Sequence, residues 1–360
     1  MSTLPERLRI VHVVFSSKLA GGEQHCIDLA HAQADLGHEV HIVGTQGSAM
    51  TRFVRPEVRY HGLALPILRG ARLRHIVKRL SPDVCHGHLG PACKAVATVP
   101  DVARLGTLHV GFKAHQHQRL DALVCVNQAQ QSQLSGFGGV SRVIHNWAPE
   151  RTAAPVGPGL RAELGLQADQ LLVGTAGRLH ASKGMDLLVL AFKHFAPADA
   201  VLAILGEGEQ REQLEKLAEG DPRIRLLGFR SDVDAALAAM DLYVSPSREE
   251  AFPLSVLEAM RAGLPIVATR TQGLTELLAG QPGTLTPIGD AEALGAAIRS
   301  ALDVLRSCPK QLRQAVTYEL KRFDRSAAVA SVMDFYAEAI ARRSSASPAP
   351  LDLELAPTHV

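Results

Sequence analysis

Four charged residues in the second half of the chain have the types and spacing to act on a phosphorylated, hydroxyl-rich molecule. Arg178 and Lys183 stand in "GRLHASKG", directly after the apolar run "LLVGTA". Two cations near a helix start, beside a Gly177 that permits close backbone approach, suit a diphosphate. Glu250 and Glu258 stand in "SREEAFPLSVLEAMRAGLPIVAT". Pro253 fits the first turn of a helix, where its missing N–H costs nothing. Glu250 then falls in the preceding loop and Glu258 well inside the helix. Leu254 and Ser255 present unpaired first-turn N–H groups, an anion site. Carboxylates beside such a site make sense if they bind hydroxyls, because anion repels anion. A loop salt bridge for Glu250 and a surface helix position for Glu258 remain open alternatives.

Other segments carry weaker signals. "GEGEQ" (206–210) half-matches the dinucleotide fingerprint G-x-G-x-x-G, but Arg211 replaces the third glycine. The acidic residue that would hold a ribose ~20 positions on is also missing, so a tight turn explains the segment better than a nicotinamide site. Gly21 and Gly22 open a helix, and their bare backbone lets a ligand meet its N-terminus; a glycine hinge is the plain alternative. His86 and His88 end one strand and His109 ends another, though a lone histidine is more often structural than catalytic. "CHGHLGPAC" gathers Cys85, His86, His88 and Cys93, yet the spacing matches no common zinc pattern.

These residues need strand tips to hold them, and the pattern supplies them. "LRIVHVVF", "EVHIVG", "PDVCHGH", "GTLHV", "DALVCVN" and "SRVIHN" read as strands, alternating with helical segments such as "LRHIVKRL". "NWAPERTAAPVGPG" breaks the pattern and reads as a linker. Alternation then resumes through "QLLVGTAGR", "AVLAILGEG", "RIRLLGF", "DLYVSPS" and "PIVAT". The expectation is an α/β chain of two doubly wound parallel-sheet domains, 1–158 and 159–325. A last amphipathic helix follows at 326–343, then a disordered tail at 344–360.

Composition narrows the class. With 46% hydrophobic and 21% charged residues over 360 positions, the chain can build two ordinary cores. Five cysteines without C-x-x-C argue against a disulfide framework. No apolar run reaches the ~18–20 residues of a membrane span, so a cytoplasmic protein is expected. Net charge is +2, but residues 1–150 carry +6 and the rest −4. That is no nucleic-acid binder's charge. The basic stretch at 67–80 is either a solvated helix face or a contact for an anionic membrane surface.

In their order, "GR…KG", "GEGE", "LGF" and the two glutamates of "EEAFPLSVLEAMRAGLPIVAT" resemble the retaining glycosyltransferases of family four, which have the GT-B fold. The likeness runs from residue 8 to about 340 and is looser in the first half. It implies two Rossmann-like domains facing a central cleft. It further implies that Arg178 and Lys183 hold the donor's diphosphate, Glu258 its ribose and Glu250 its sugar. Gly177, Gly206, Ala251, Phe252, Pro253 and Leu254 would line the donor, with the backbone near Phe229 and Arg230 by the base. His109 would sit near the reacting carbon, Gly21 and Gly22 near the phosphate, and His88 and Asn146 on the acceptor side. A UDP-hexose donor, a glycan or lipid-linked acceptor and no metal or other cofactor are implied. Ala251 and Pro253 stand where the family often has glycine, as does Trp147 after Asn146. A sugar-nucleotide epimerase or NAD-dependent oxidoreductase is the competing reading.

Overall fold

Short apolar runs form the central strands, which are buried on both faces, as expected of parallel sheets covered by helices. The computed structural model describes residues 6–64, 67–148, 159–308 and 312–346. The first sheet contains β1 (Arg9–Val14), β2 (Glu39–Thr45), β3 (Arg59–Leu63), β4 (Val84–His88), β5 (Ala103–Leu108), β6 (Ala122–Cys125) and β7 (Val140–Val143). All its pairings are parallel, in the order β3-β2-β1-β4-β5-β6-β7. The second contains β8 (Leu171–Ala176), β9 (Ala200–Leu205), β10 (Ile224–Gly228), β11 (Leu242–Ser245), β12 (Ile266–Thr269) and β13 (Thr284–Thr286). It is also parallel, in the order β10-β9-β8-β11-β12-β13.

Strand order reverses between β1 and β4 and between β8 and β11. Connections leave these neighbours toward opposite faces, opening a crevice at their C-terminal ends, where ligands of such sheets bind. The loops carrying Gly21–Gly22, Arg178–Lys183 and Glu250 follow β1, β8 and β11, while His109 follows β5 and Gly206 follows β9. The edge strands β3 and β13 are not announced by periodicity. β3 carries "RYHGL" with only Leu63 buried, and β13 is three residues long.

The C-terminal helix, Arg325–Ala346, packs on the first sheet although it follows the second in sequence. Val329, Val332, Phe335, Tyr336 and Ala339 join Leu8, Ile10, Leu105 and Trp147 in one buried cluster. The helix runs three residues past the expected end. Residues 149–158 of the expected linker, and the tail beyond 346, lie outside the described residues. Cys85 and Cys93 belong to the core cluster on the other side of the sheet, whereas His86 faces Tyr336 of the C-terminal helix. The segment "CHGHLGPAC" is thus split between two faces.

Candidate active site

The loops after β8 and β11 lock together. Arg248 and Glu249 donate backbone N–H bonds to the Ser182 carbonyl at 2.8 and 3.1 Å. The Arg248 guanidinium makes two 2.7 Å bonds to the Asp186 carboxylate, holding that carboxyl below its ordinary pKa. Gly184 has φ 63°, and a Cβ there would lie 2.1 Å from the Pro246 carbonyl oxygen. Only glycine lets these backbones meet. The outcome is an ion pair between Lys183 and Glu250, with the Ser247 hydroxyl donating to the same Glu250 oxygen at 3.3 Å. Arg178 stands exposed beside them, and its guanidinium has no bonding partner among the described residues. The glycines of "GEGE" serve backbone packing: a Cβ on Gly206 would lie 1.9 Å from the Gly177 oxygen, and one on Gly208 2.1 Å from that of Leu179.

The helix Leu254–Arg261 follows directly. Pro253 is its N-cap rather than a first-turn residue, with no side-chain cap bond. The first N–H groups are therefore available to an anion. Glu258, one turn further in, is partly buried. Desolvation raises its pKa to about 7, with Arg261 opposing and Asp234 adding to the shift. Across the cleft, a Cβ on Gly21 would lie 3.8 Å from a Leu254 methyl, and one on Gly22 3.5 Å from the His109 ring. Helix starts from both domains and His109 thus converge on one place.

On the first domain's side the groups are neutral and buried. His12, His86 and His88 are fully buried. His109 is partly exposed, and its Nε2 lies 3.1 Å from His88 Nδ1. Burial lowers the pKa of each: His12 to about 4, His25 to about 3, and His86, His88 and His109 well below the ordinary value. Ring nitrogens of His12, His86 and His88 lie within 4.8 Å of one another, a spacing a metal ion could use. Their six nitrogens already have hydrogen-bond partners: Gln33, Tyr336, Thr107, His109, and His12 and His88 for each other. The cluster therefore needs no ion to satisfy it.

Three expected placements change. His88 lies beneath His109 and offers no surface to an acceptor. Asn146 is also buried, and its amide donates to the Phe252 carbonyl at 2.7 Å, so it props the loop before Leu254 from the other domain. The Arg230 guanidinium is held by Asp232 and Glu163, with a raised pKa from those partners, which leaves the expected backbone placement untouched, and Phe229 beside it is 59% exposed. At Gly21–Gly22, Glu23 accepts the Ala20 N–H at 3.0 Å and puts a carboxylate in the first turn. That charge opposes a phosphate there, unlike at Leu254.

Sequence reasoning missed the residues that join the domains. Asn127 donates to the Ala251 carbonyl at 2.8 Å. His145 stacks on Phe252 at 4.8 Å and bonds Glu276 at 2.6 Å. Asp28 accepts from Trp147 and Arg325. Asn127 and His145 do stand at the ends of β6 and β7, which was the available signal.

Two parallel sheets around a cleft, with cations, carboxylates and an uncapped helix start on the second, have the arrangement of a GT-B glycosyltransferase, and the comparisons with known proteins agree. Two family models match in order: Glycosyltransferase Family 4 over residues 19–149 and Glycosyl transferases group 1 over 170–303. The chain belongs to this group 1, family 4 class. It is 28% identical to the lipopolysaccharide core biosynthesis glycosyltransferase LpsE of Rhizobium meliloti, over 81% of this chain and 88% of that one. It is 26% identical to the mannosyltransferase LpsB of the same organism, over 82% and 88%. The Anabaena protein HepE, solved with UDP and glucose, aligns at TM-score 0.76 and 22% identity, over 92% of this chain and 100% of that one. These matches favour glycosyl transfer over the epimerase and oxidoreductase readings.

Proposed function

We propose that the chain moves a hexose from a UDP-sugar to a glycan or lipid-linked acceptor, with retention and without a metal, in lipopolysaccharide or surface polysaccharide synthesis. The observation that carries this reading is the Lys183–Glu250 pair beside the exposed Arg178 and the uncapped helix at Leu254. A diphosphate arriving there draws Lys183 from Glu250. The released carboxylate accepts hydroxyls of the donor sugar, and Glu258 accepts those of the ribose. Arg178, Lys183 and the helix start then stabilise charge growing on the departing diphosphate, where fixed donors are most effective. The acceptor attacks from the face the diphosphate leaves, and a phosphate oxygen takes its proton, so no protein nucleophile is needed. Donor and pathway rest on the relatives: two are named for lipopolysaccharide core synthesis, and HepE was solved with UDP and glucose.

A thermal-shift series with UDP-, GDP- and ADP-sugars tests the donor, and NMR of the product's anomeric centre tests retention. Selective stabilisation by UDP-sugars, an α-linked product from an α-linked donor, and undiminished turnover in EDTA are expected. An inverted product or turnover lost in EDTA refutes the corresponding part.

The helix Arg69–Leu80 supports a peripheral membrane contact. Arg74, Lys78 and Arg79 are exposed along it, and Ile67 and Leu68 just before it are 70% and 68% exposed. Cations beside exposed apolar side chains suit an anionic bilayer surface. Among the described residues no helix is long and apolar enough to cross a membrane.

A further inference from the structure

We infer that Gln33, acting through two buried imidazoles, sets His109 as a hydrogen-bond acceptor toward the cleft. The chain of contacts is continuous. His12 Nε2 lies 2.7 Å from Gln33 Oε1, His88 Nε2 3.0 Å from His12 Nδ1, and His109 Nε2 3.1 Å from His88 Nδ1. A carbonyl oxygen only accepts, so His12 carries its proton on Nε2. A neutral imidazole has one such proton, which leaves His12 Nδ1 bare. His88 Nε2–H donates to it, leaving His88 Nδ1 bare in turn. His109 Nε2–H donates to that nitrogen. The chain's last lone pair is therefore on His109 Nδ1.

Two further observations hold the chain in this sense. Gln33 Nε2 lies 3.5 Å from Met333 Sδ on the C-terminal helix, which also carries Tyr336, the partner of His86 Nδ1. The amide thus turns its NH2 toward the C-terminal helix and its oxygen toward His12. Packing restrains the rings: His88 lies between His86 and His109 at centroid distances of 4.4 and 5.4 Å, and His25 packs edge-on to His109 at 5.1 Å. Burial keeps all three chain imidazoles neutral at pH 7, as the tautomer argument requires.

Gln33, His12 and His88 are fully buried and touch no substrate; they are positioning residues. His109 is the member that reaches the cleft: the Cγ–Cδ2 edge of its ring faces Gly22, and its Nδ1, which has no hydrogen-bond partner among the described residues, is accessible to solvent. With Nδ1 bare it accepts an O–H, the chemistry of a sugar hydroxyl. The opposite tautomer would present a donor and favour an anion. The consequence for catalysis rests on the transfer reaction proposed above; the tautomer does not.

Long-range 1H–15N spectra of the histidine-labelled protein at pH 7.5 read the tautomer without any substrate. His109 is expected to be protonated at Nε2 and bare at Nδ1; the reverse overturns the proposal whatever the activity. Gln33→Met keeps the volume and removes the acceptor. In that variant His109 should show mixed tautomers. Its kcat/KM with a sugar donor should fall about tenfold, the scale of one hydrogen bond, with UDP affinity unchanged. A wild-type tautomer in Gln33→Met overturns the proposal. Mixed tautomers with unchanged transfer uphold the chain and refute a contact between His109 and the sugar. A stoichiometric metal ion in the purified protein, lost in His12→Ala, would replace the hydrogen-bonded chain by a ligand set and overturn it too.

Discussion

On the second sheet, the loops after β8 and β11 bring Arg178, Lys183 and Glu250 to the cleft, partly exposed and charged. On the first sheet, β4 and β5 lead to His88 and His109, whose imidazoles burial keeps neutral. Both sheets follow the same topological rule, with the crevice where strand order reverses. What differs is the charge each brings to it. A nucleotide-sugar has the same asymmetry, with an anionic diphosphate at one end and a neutral, hydroxyl-bearing sugar at the other. The charged tips suit the group that leaves and the neutral tips suit the group that is moved. Over the whole chain the asymmetry reverses: residues 1–150 carry +6 and the remainder −4, with the basic excess on the outer helix Arg69–Leu80.

The largest effect should come from discharging the second sheet's tip. Lys183→Ala removes a cation from the leaving group and unpairs Glu250, whose side chain is only 12% exposed. Loss of one such preorganised group costs on the order of 100- to 1000-fold in kcat. Steady-state kinetics at saturating donor measure it, and a loss below tenfold would break the contrast between the tips. Next is the outer helix. Replacing Arg72, Arg74 and Lys78 together by alanine should weaken binding to anionic vesicles by roughly 100-fold, at about 1 kcal/mol per cation. Transfer to a soluble acceptor should stay the same, because, among the described residues, none of the three side chains contacts the residues of the candidate site. Unchanged vesicle sedimentation would remove the membrane reading. A smaller effect is expected for Asn146→Ala, which leaves the buried Phe252 carbonyl without its 2.7 Å partner. At about 1–3 kcal/mol for an unsatisfied buried acceptor, donor KM should rise several-fold to about 100-fold and the melting temperature should fall. A change in neither would free the loop before Leu254 from its prop.

The charged tip was legible in sequence and the neutral one was not, for a physical reason. Arg178, Lys183, Glu250 and Glu258 sit on local signals: a glycine next to a strand end, a proline at a helix start, a fixed spacing of carboxylates. Pro253 was misplaced by one position, within the usual uncertainty of helix ends. The histidine chain joins positions 12, 33, 88 and 109, which the sheet's register and the packing of the helix Gly21–Asp35 bring together: His12 pairs with His86, and His88 with Thr107. Asn146 was likewise visible as a strand-end polar residue, but its target, the Phe252 carbonyl, lies in the other domain. The C-terminal helix was recognised by its periodicity. That its Met333 orients Gln33 follows from packing, which no local pattern records.

The finest test concerns Glu258, the charged-side residue most affected by burial. Its folded-state pKa is raised from an ordinary 4.5 to about 7, chiefly by desolvation. Hydroxyls donated by a ribose favour the carboxylate, so donor binding should lower that pKa and release a proton near neutral pH. Affinity for the nucleotide-sugar should therefore fall as pH drops below about 7, by up to roughly tenfold per unit, and level off above about 8. The stability argument has the opposite sign. Between 4.5 and about 7 the folded state holds more protons at this position than the unfolded state does, so its contribution falls as pH rises through that window. Glu258→Gln removes the penalty: the unliganded variant should melt higher than wild type at pH 8, with the gain shrinking toward pH 4.5. The same variant should bind a UDP-sugar, whose diphosphate has no ionisation near neutral pH, more weakly at pH 8 and lose the slope below pH 7. Calorimetry in two buffers of different ionisation enthalpy measures the released proton. If the slope persists in Glu258→Gln, another group titrates and the ribose contact assigned to Glu258 is wrong.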